Sequence, residues 1–385
     1  MPTTKGKNLL YRLALPLLAP KCGKNPLHLI SGHPLHYRDS FLRIIQKHHV
    51  QGSSTILSCG NNQVLMLTHS SLPGHYAESD TWYRVASITK MATALTCMYL
   101  YSQGILDLDS PVAEILDGGK DCSDLSGITL RHLLSHTSGI CDPSDLEQSL
   151  LSGKSYETVL KKARFDSPGK QFRYSNLGFG LIGSILESVT GLSVDRVFRK
   201  FCFSPLCLDA TLNAMELQDT CIMPVTRILP FRHQDLRFTE LGKKQLTAPD
   251  PAFHFGYTAG SMYITIQSLF RLISFFRDGD PGFLNDSIRQ EMIKEHAVYG
   301  DLSPTLSYGL GMLLISDPAL SEGRIIGHQG FAYGCADGAF YEEATGNIMI
   351  TLNGGCSEAR VGRLGVMNRD MLHYAFRKEL PSWSL

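Results

Sequence analysis

Tyr83-Arg-Val-Ala-Ser-Ile-Thr-Lys90, followed by the apolar run from Met91 to Gln103, decides how the rest of the chain is read. Ser87 and Lys90 stand three apart, so on a helix they share one face and their side chains meet. Ser87 falls in the expected first turn, where backbone N–H groups have no intrahelical partner and the dipole favours developing negative charge. That arrangement suits a serine attacking a carbonyl, with Lys90 as proton acceptor or electrostatic partner. Ile88, Met91, Leu95 and Met98 recur at helical spacing, and Ala92, Ala94 and Leu100 fill the other faces. The pattern predicts a helix buried all round and ended by Gly104. A second Ser-x-x-Lys, Ser167-Pro-Gly-Lys170, reads as a turn because of Pro168 and Gly169, so its two side chains need not face each other. Taken alone, Ser87 fits an ordinary helix cap equally well. The remainder of the chain decides.

The 385 residues are enough for a large core, in two domains or in one unit with an insertion. Lys plus Arg equals Asp plus Glu, at 36 each, which gives no electrostatic case for nucleic acid or an acidic partner. Ten cysteines lie at 22, 59, 97, 122, 141, 202, 207, 221, 335 and 356. None forms Cys-x-x-Cys, and a chain of this length needs no staples, so they read as reduced, small apolar residues. Leu9 to Ala19 faintly resembles a signal peptide, but Arg12 and Pro16 interrupt it and no Ala-x-Ala site follows, so a cytoplasmic location is expected.

Residues 1–35, with five prolines, read as an irregular N-terminal extension. A first helix is expected over Asp39 to Val50, then a β-hairpin from Thr55–Ser58 and Gln63–Thr68 around Gly60-Asn-Asn. Ser110-Pro111, Thr129 and Ser193 read as helix starts, and Leu177, Leu181, Ile182, Ile185 and Val189 mark a helix closed by Gly191. Thr265 starts another amphipathic helix. Tyr308–Met312, Arg324–Gly330, Gly338–Tyr341 and Asn347–Leu352 read as strands, and Val361 to Ala375 as a closing helix. The expected fold is of the α/β class, α+β in type. An antiparallel sheet is built from both termini and flanked by helices, with a mostly helical inserted domain. The domains expected are 36–95 plus 255–385 for the sheet and 96–254 for the insertion.

Ser87-Ile-Thr-Lys90, Tyr174-Ser-Asn176 and His328-Gln-Gly330 follow in this order, in helix, loop and strand contexts. The set resembles the serine β-lactamase and penicillin-binding-protein superfamily, whose Ser-x-x-Lys, Ser/Tyr-x-Asn and Lys/His-x-Gly elements converge on one pocket. It looks most like the Tyr-x-Asn branch of class C β-lactamases, certain D-alanyl-D-alanine peptidases, D-aminopeptidases and related esterases. Leu133-Leu-Ser-His-Thr-Ser-Gly139, Ala259–Thr265 and Tyr308-Gly-Leu-Gly-Met312 match as well. The resemblance implies that Ser87 is the nucleophile and that Lys90 or Tyr174 takes its proton, with neighbouring ammonium groups lowering the phenol's pKa. It implies that Asn176 orients the substrate and ties Lys90, and that His328 hydrogen-bonds Tyr174 and assists proton return. The oxyanion hole would be the N–H groups of Ser87 and Phe331, with Gly330 permitting close backbone approach.

Many members that act on β-lactams or D-Ala termini carry Thr or Ser where this chain has Gln329, with Phe331 beyond it. That departure favours an esterase, amidase or D-amino-acid peptidase over a β-lactamase or D-Ala-D-Ala carboxypeptidase. A catalytically silent binding or scaffold member is the rival from another class. The expected partner is a small-molecule or peptide-like substrate with an ester or amide. No cofactor, metal, nucleic acid or membrane span is expected. His132 and His136, four apart, lack the HExxH context and a third ligand, and His136 reads as fixing a turn. The absence of Gly-x-Ser-x-Gly argues against the α/β-hydrolase fold as the source of serine chemistry.

Overall fold

The computed structural model describes residues 28–31, 35–60, 63–70, 77–116, 125–218, 236–300, 303–332 and 334–378. The signal-like run Leu9 to Ala19 and the turn residues Asn61 and Asn62 lie outside them. Nine strands form one sheet: β1 (His28–Ser31), β2 (Gly52–Cys59), β3 (Gln63–Ser70), β4 (Ala297–Val298), β5 (Leu306–Tyr308), β6 (Leu313–Ile315), β7 (Ile325–Ala332), β8 (Cys335–Glu342) and β9 (Ile348–Gly354). Their order is β1-β3-β2-β9-β8-β7-β6-β5-β4, and each neighbouring pair is antiparallel. The β2–β9 pair, from Gly52↔Gly354 to Ser58↔Ile348, zips the N-terminal hairpin to the C-terminal strands. One sheet from both ends of the chain is what the sequence predicts.

Successive residues of a strand point to opposite faces, and here both faces are covered. Ile56, Met66, Ile326, Ala339, Ile348 and Ile350 belong to one hydrophobic cluster, which continues into the helical region. Leu57, Leu67, Ile325, Phe340 and Met349 belong to the other, with Phe41 and Ile45 of α1 (Leu35–Lys47) and Met367 and Met371 of α5 (Val366–His373). A fully buried Ile or Leu contributes roughly 1.5–3 kcal/mol, so this double cover explains strands that read as continuous apolar runs. The helix that carries Lys90 is α2 (Thr89–Ser102), buried from Thr89 through Met98. α3 (Asn176–Thr190) closes at Gly191 with φ +64°, and Thr265 caps α4 (Ile266–Asp278) by accepting the Ser268 N–H.

Several local expectations change. Of the stretch Tyr308-Gly-Leu-Gly-Met312 only Tyr308 belongs to a strand, as the end of β5; residues 309–312 form the turn between β5 and β6, with Gly311 at φ +72°. A Cβ on Gly311 would lie 2.8 Å from the Lys90 carbonyl, so this turn packs directly on α2. Part of the expected extension forms β1 and the start of α1. The closing helix begins at Val366 because Arg360–Val361 pairs with Leu364–Gly365 as a small hairpin. Ser193 precedes a helix but does not cap it; its hydroxyl donates to the Leu246 carbonyl. Short strands Trp82–Arg84, Ala210–Thr211 and Tyr263–Thr265 form a separate three-stranded sheet beside Ser87, which alternation over so few residues does not announce. The seven described cysteines are all free thiols.

Candidate active site

Ser87 sits in a 3₁₀ turn, Ala86–Ile88, that feeds directly into α2. Ala86 before it has φ +44°, a left-handed conformation that costs a residue with a Cβ about 1–3 kcal/mol. Packing holds the turn in that shape. Val85 N–H donates to Met262 O (3.1 Å), and Thr89 Oγ1 donates to Ala86 O (2.6 Å). On the other side Gly330 of β7 lies so close that a Cβ there would stand 2.2 Å from the Val85 carbonyl oxygen. The expected close approach at Gly330 is therefore real, and it seats strand β7 against the turn that carries Ser87.

Lys90, one helical turn on, has no solvent exposure. Its Nζ lies 3.1 Å from Ser87 Oγ, 2.9 Å from Asn176 Oδ1 and 2.6 Å from Ala259 O. Burial lowers its pKa to about 7, against the opposing pull of the Asp142 carboxylate. Tyr174 donates its hydroxyl to the same Ser87 Oγ at 2.8 Å. Burial pushes this phenol's pKa up, and the hydrogen bond to Ser87 and the Arg360 charge only offset that in part. The expectation of a lowered phenol pKa is overturned, because loss of water outweighs the nearby cations.

His328 is brought near the site but not to Tyr174. Its Nε2 meets the Tyr308 hydroxyl at 2.8 Å, and its Nδ1 lies 2.7 Å from the Gln329 main-chain carbonyl. A carbonyl only accepts, so Nδ1 carries the hydrogen and Nε2 accepts from Tyr308. Burial, then the Lys90 charge, lower its pKa to about 3, so the ring is neutral throughout the physiological range. The Gln329 side chain turns towards the 360–365 hairpin, donating to Arg363 O (2.7 Å) and accepting from Gly365 N (3.0 Å). The β6 ladder stops at Gly327, so β7 runs on past Ser87 beyond the end of its neighbour. Phe331 stacks under Arg360, with the guanidinium carbon 3.9 Å from the ring centre.

Ser87, Asn176 and Phe331 line one cavity of about 180 Å³, walled by Leu146, Leu150 and Leu241. Sequence reasoning missed Asp142 behind it and understated His136. Asp142 accepts from Ser175 Oγ (2.6 Å), Asn176 N (2.8 Å) and Leu177 N (3.1 Å), and so anchors the start of α3. Nothing in local spacing marks Asp142, since its partners lie more than thirty residues away. His136 fixes a turn as expected, at φ +58°, and its Nδ1 accepts the Ser175 N–H at 3.1 Å. It also packs against Tyr174, with ring centres 4.2 Å apart and the planes tilted by 36°. His132 instead forms a capping box with Thr129. Among the described residues no group of three or more His, Cys, Asp or Glu is placed to hold a metal ion.

Several known proteins resemble this chain. Penicillin-binding protein 4* of Bacillus subtilis (strain 168) is 25% identical over 325 residues, 77% of this chain and 66% of that protein. Esterase EstB of Burkholderia gladioli is 24% identical over 358 residues, 78% of this chain and 84% of the esterase. The chain spans less than two thirds of the first penicillin-binding relatives: 66% of the Bacillus protein and 55% of penicillin-binding protein 4 of Amycolatopsis lactamdurans. Among solved structures, EstCE1, described as a hydrolase with promiscuous acyltransferase activity, superposes with TM-score 0.69 at 21% identity, covering 87% of this chain and 97% of its own. The D-amino acid amidase of Ochrobactrum anthropi SV3 gives 0.65 at 21% identity, covering 84% and 94%. Those two structures share the fold. The family described as Beta-lactamase matches residues 45–355. With most of its length matched, the chain belongs to the Beta-lactamase family.

Proposed function

We propose that this protein is a serine hydrolase that cleaves an ester or amide through an acyl-Ser87 intermediate. The observation that carries the reading is the environment of Lys90. Two of its three neighbours, Asn176 Oδ1 and Ala259 O, are pure acceptors. A neutral amine has two hydrogens for them and one lone pair left, directed at the third neighbour, Ser87 Oγ. With its pKa lowered to about 7, Lys90 is neutral in a large fraction of molecules near neutral pH. It takes the serine proton as Oγ attacks the substrate carbonyl.

Tyr174, protonated because its pKa is raised, hands its proton to the leaving oxygen or nitrogen and regains one from Lys90. A water molecule then attacks the acyl-enzyme with Lys90 again as base, the bond between Ser87 Oγ and the acyl carbon breaks, and Lys90 returns the proton to Oγ as the acid leaves. The N–H groups of Ser87 and Phe331 stabilise the oxyanion, and Asn176 orients the substrate while tying Lys90. His328, neutral and with both nitrogens engaged, positions Tyr308 rather than carrying a proton. Leu146, Leu150 and Leu241 offer the acyl group an apolar wall, with Arg84 and Glu147 lining the same cavity. Gln329, spent on the 360–365 hairpin, offers no hydroxyl to a substrate carboxylate, which supports esterase, amidase or D-amino-acid peptidase chemistry over a penicillin-like substrate. The names of the esterase and the D-amino acid amidase among the similar proteins support the same classes.

The test is intact-protein mass after brief exposure to a small fluorophosphonate. A single adduct on wild type, absent from Ser87→Ala, is the expected outcome. Folded wild type that takes no adduct would sink the hydrolase reading in favour of a silent scaffold.

A further inference from the structure

We propose that Asp142 is a positioning residue of this site, a buried anion that fixes Tyr174, Ser175 and Asn176 and serves as the counter-charge of Lys90. Its two oxygens take three hydrogen bonds from the segment that carries the Tyr-x-Asn element, at 2.6, 2.8 and 3.1 Å. One donor is the Asn176 N–H, whose own side chain holds Lys90. Ser175 Oγ, the shortest donor, also accepts the Gly178 N–H and so caps α3. Asp142 therefore grips the backbone beside that cap, where a negative charge is favoured by the helix dipole. His136 grips the same segment from the preceding turn through the Ser175 N–H.

The groups that face Lys90 make Asp142 the odd one out. Tyr174 from the loop before α3 is protonated. His136 from its turn and His328 from β7 are both held neutral, by burial and by the Lys90 charge. Arg360, on the small hairpin, bears on Tyr174 with the opposite sign. Asp142 supplies the negative charge that opposes the burial of Lys90. Burial also raises the Asp142 pKa, and the three hydrogen bonds act against that rise. Without this anion Lys90 would lose its proton more readily, and the site would keep its base neutral to lower pH.

The kinetic test rests on the hydrolase reading; a second readout does not. The pH dependence of kcat/KM on a small ester is measured for wild type, Asp142→Asn and Ser175→Ala. Ser175→Ala removes the hydrogen bond to Asp142 and the Gly178 cap but no charge, and is expected to lower kcat with the acid limb unmoved. Asp142→Asn is expected to lower kcat and also to move the acid limb down by roughly half a pH unit or more. Asp142→Ser, which keeps one acceptor for the loop, replaces it if the asparagine variant fails to fold. An unmoved limb in the folded variant would reduce Asp142 to packing and overturn the proposal. The independent readout is the Lys90 titration, followed by the ¹⁵Nζ chemical shift in lysine-labelled protein. A lower Lys90 midpoint in the variant supports the proposal even if wild type turns over no ester, which would break the hydrolase reading alone. Equal midpoints overturn the proposal.

Discussion

Two buried basic side chains, Lys90 beside Ser87 and His328 on β7, have opposite fates. Lys90 and His328 are both almost or wholly removed from water. Burial lowers the pKa of each, to about 7 for the lysine and about 3 for the histidine. The lysine starts from a high value, so burial brings it into the working range; the histidine starts near neutrality, so the same loss of water carries it out. Their partners reinforce the split. Lys90 Nζ has Ser87 Oγ at 3.1 Å, the contact through which the proposed proton transfer runs, whereas both nitrogens of His328 are spent on Tyr308 and the Gln329 carbonyl. Burial makes a proton carrier only where the starting pKa and the partner set agree.

That contrast is sharpest when its stronger side is removed. Lys90→Met is expected to cut kcat/KM by about 10²–10⁴-fold, as loss of a general base does. Steady-state rates on an activated ester check it, and near-wild-type turnover would move the base to Tyr174. In wild type, kcat/KM should climb with pH through about 7, because Lys90 must be neutral to act and its lowered pKa is what sets the limb.

Gly330→Ala attacks the shared support of both sides. A Cβ there would stand 2.2 Å from the Val85 carbonyl, so β7 or the serine turn must shift. Overpacking of this kind costs typically about 1–3 kcal/mol, and the displaced turn lowers turnover with it. Thermal melting alongside activity tests this, since an unchanged Tm would mean that the strand and turn are not held in contact.

His328→Asn carries the smallest expected effect. Losing the bond to Tyr308 is worth about 1 kcal/mol, or roughly fivefold in rate, and the acid limb near pH 7 should stay where it is. A limb that moves in this variant would make His328 a titrating participant and erase the contrast.

Part of the site is legible in the sequence. Ser87 and Lys90 are readable because three-residue spacing on a helix is a local rule, and α2 because its apolar residues cover every face. The β2–β3 hairpin and the strands β7 to β9 are readable from alternation and turn residues. Tyr174, Asn176 and His328 stand out through motif resemblance and do gather around or behind Ser87. Asp142 does not stand out, because a lone acid after a glycine turn carries no periodic or spacing signal. The turn over residues 309–312 passes for a strand, since apolar residues between glycines look the same in either state.

Sequence alone determined the elements whose cause is local: the Ser-x-x-Lys face, the buried helix, the α+β plan and the order of the three motifs. Tertiary structure decided what each side chain can do. The raised phenol of Tyr174, the poised Lys90 and the inert His328 all follow from how much water each loses. The Tyr308–His328 bond and the Asp142 anchor join residues far apart in the chain. Desolvation and long-range hydrogen bonding are properties of packing, and a one-dimensional pattern does not carry them.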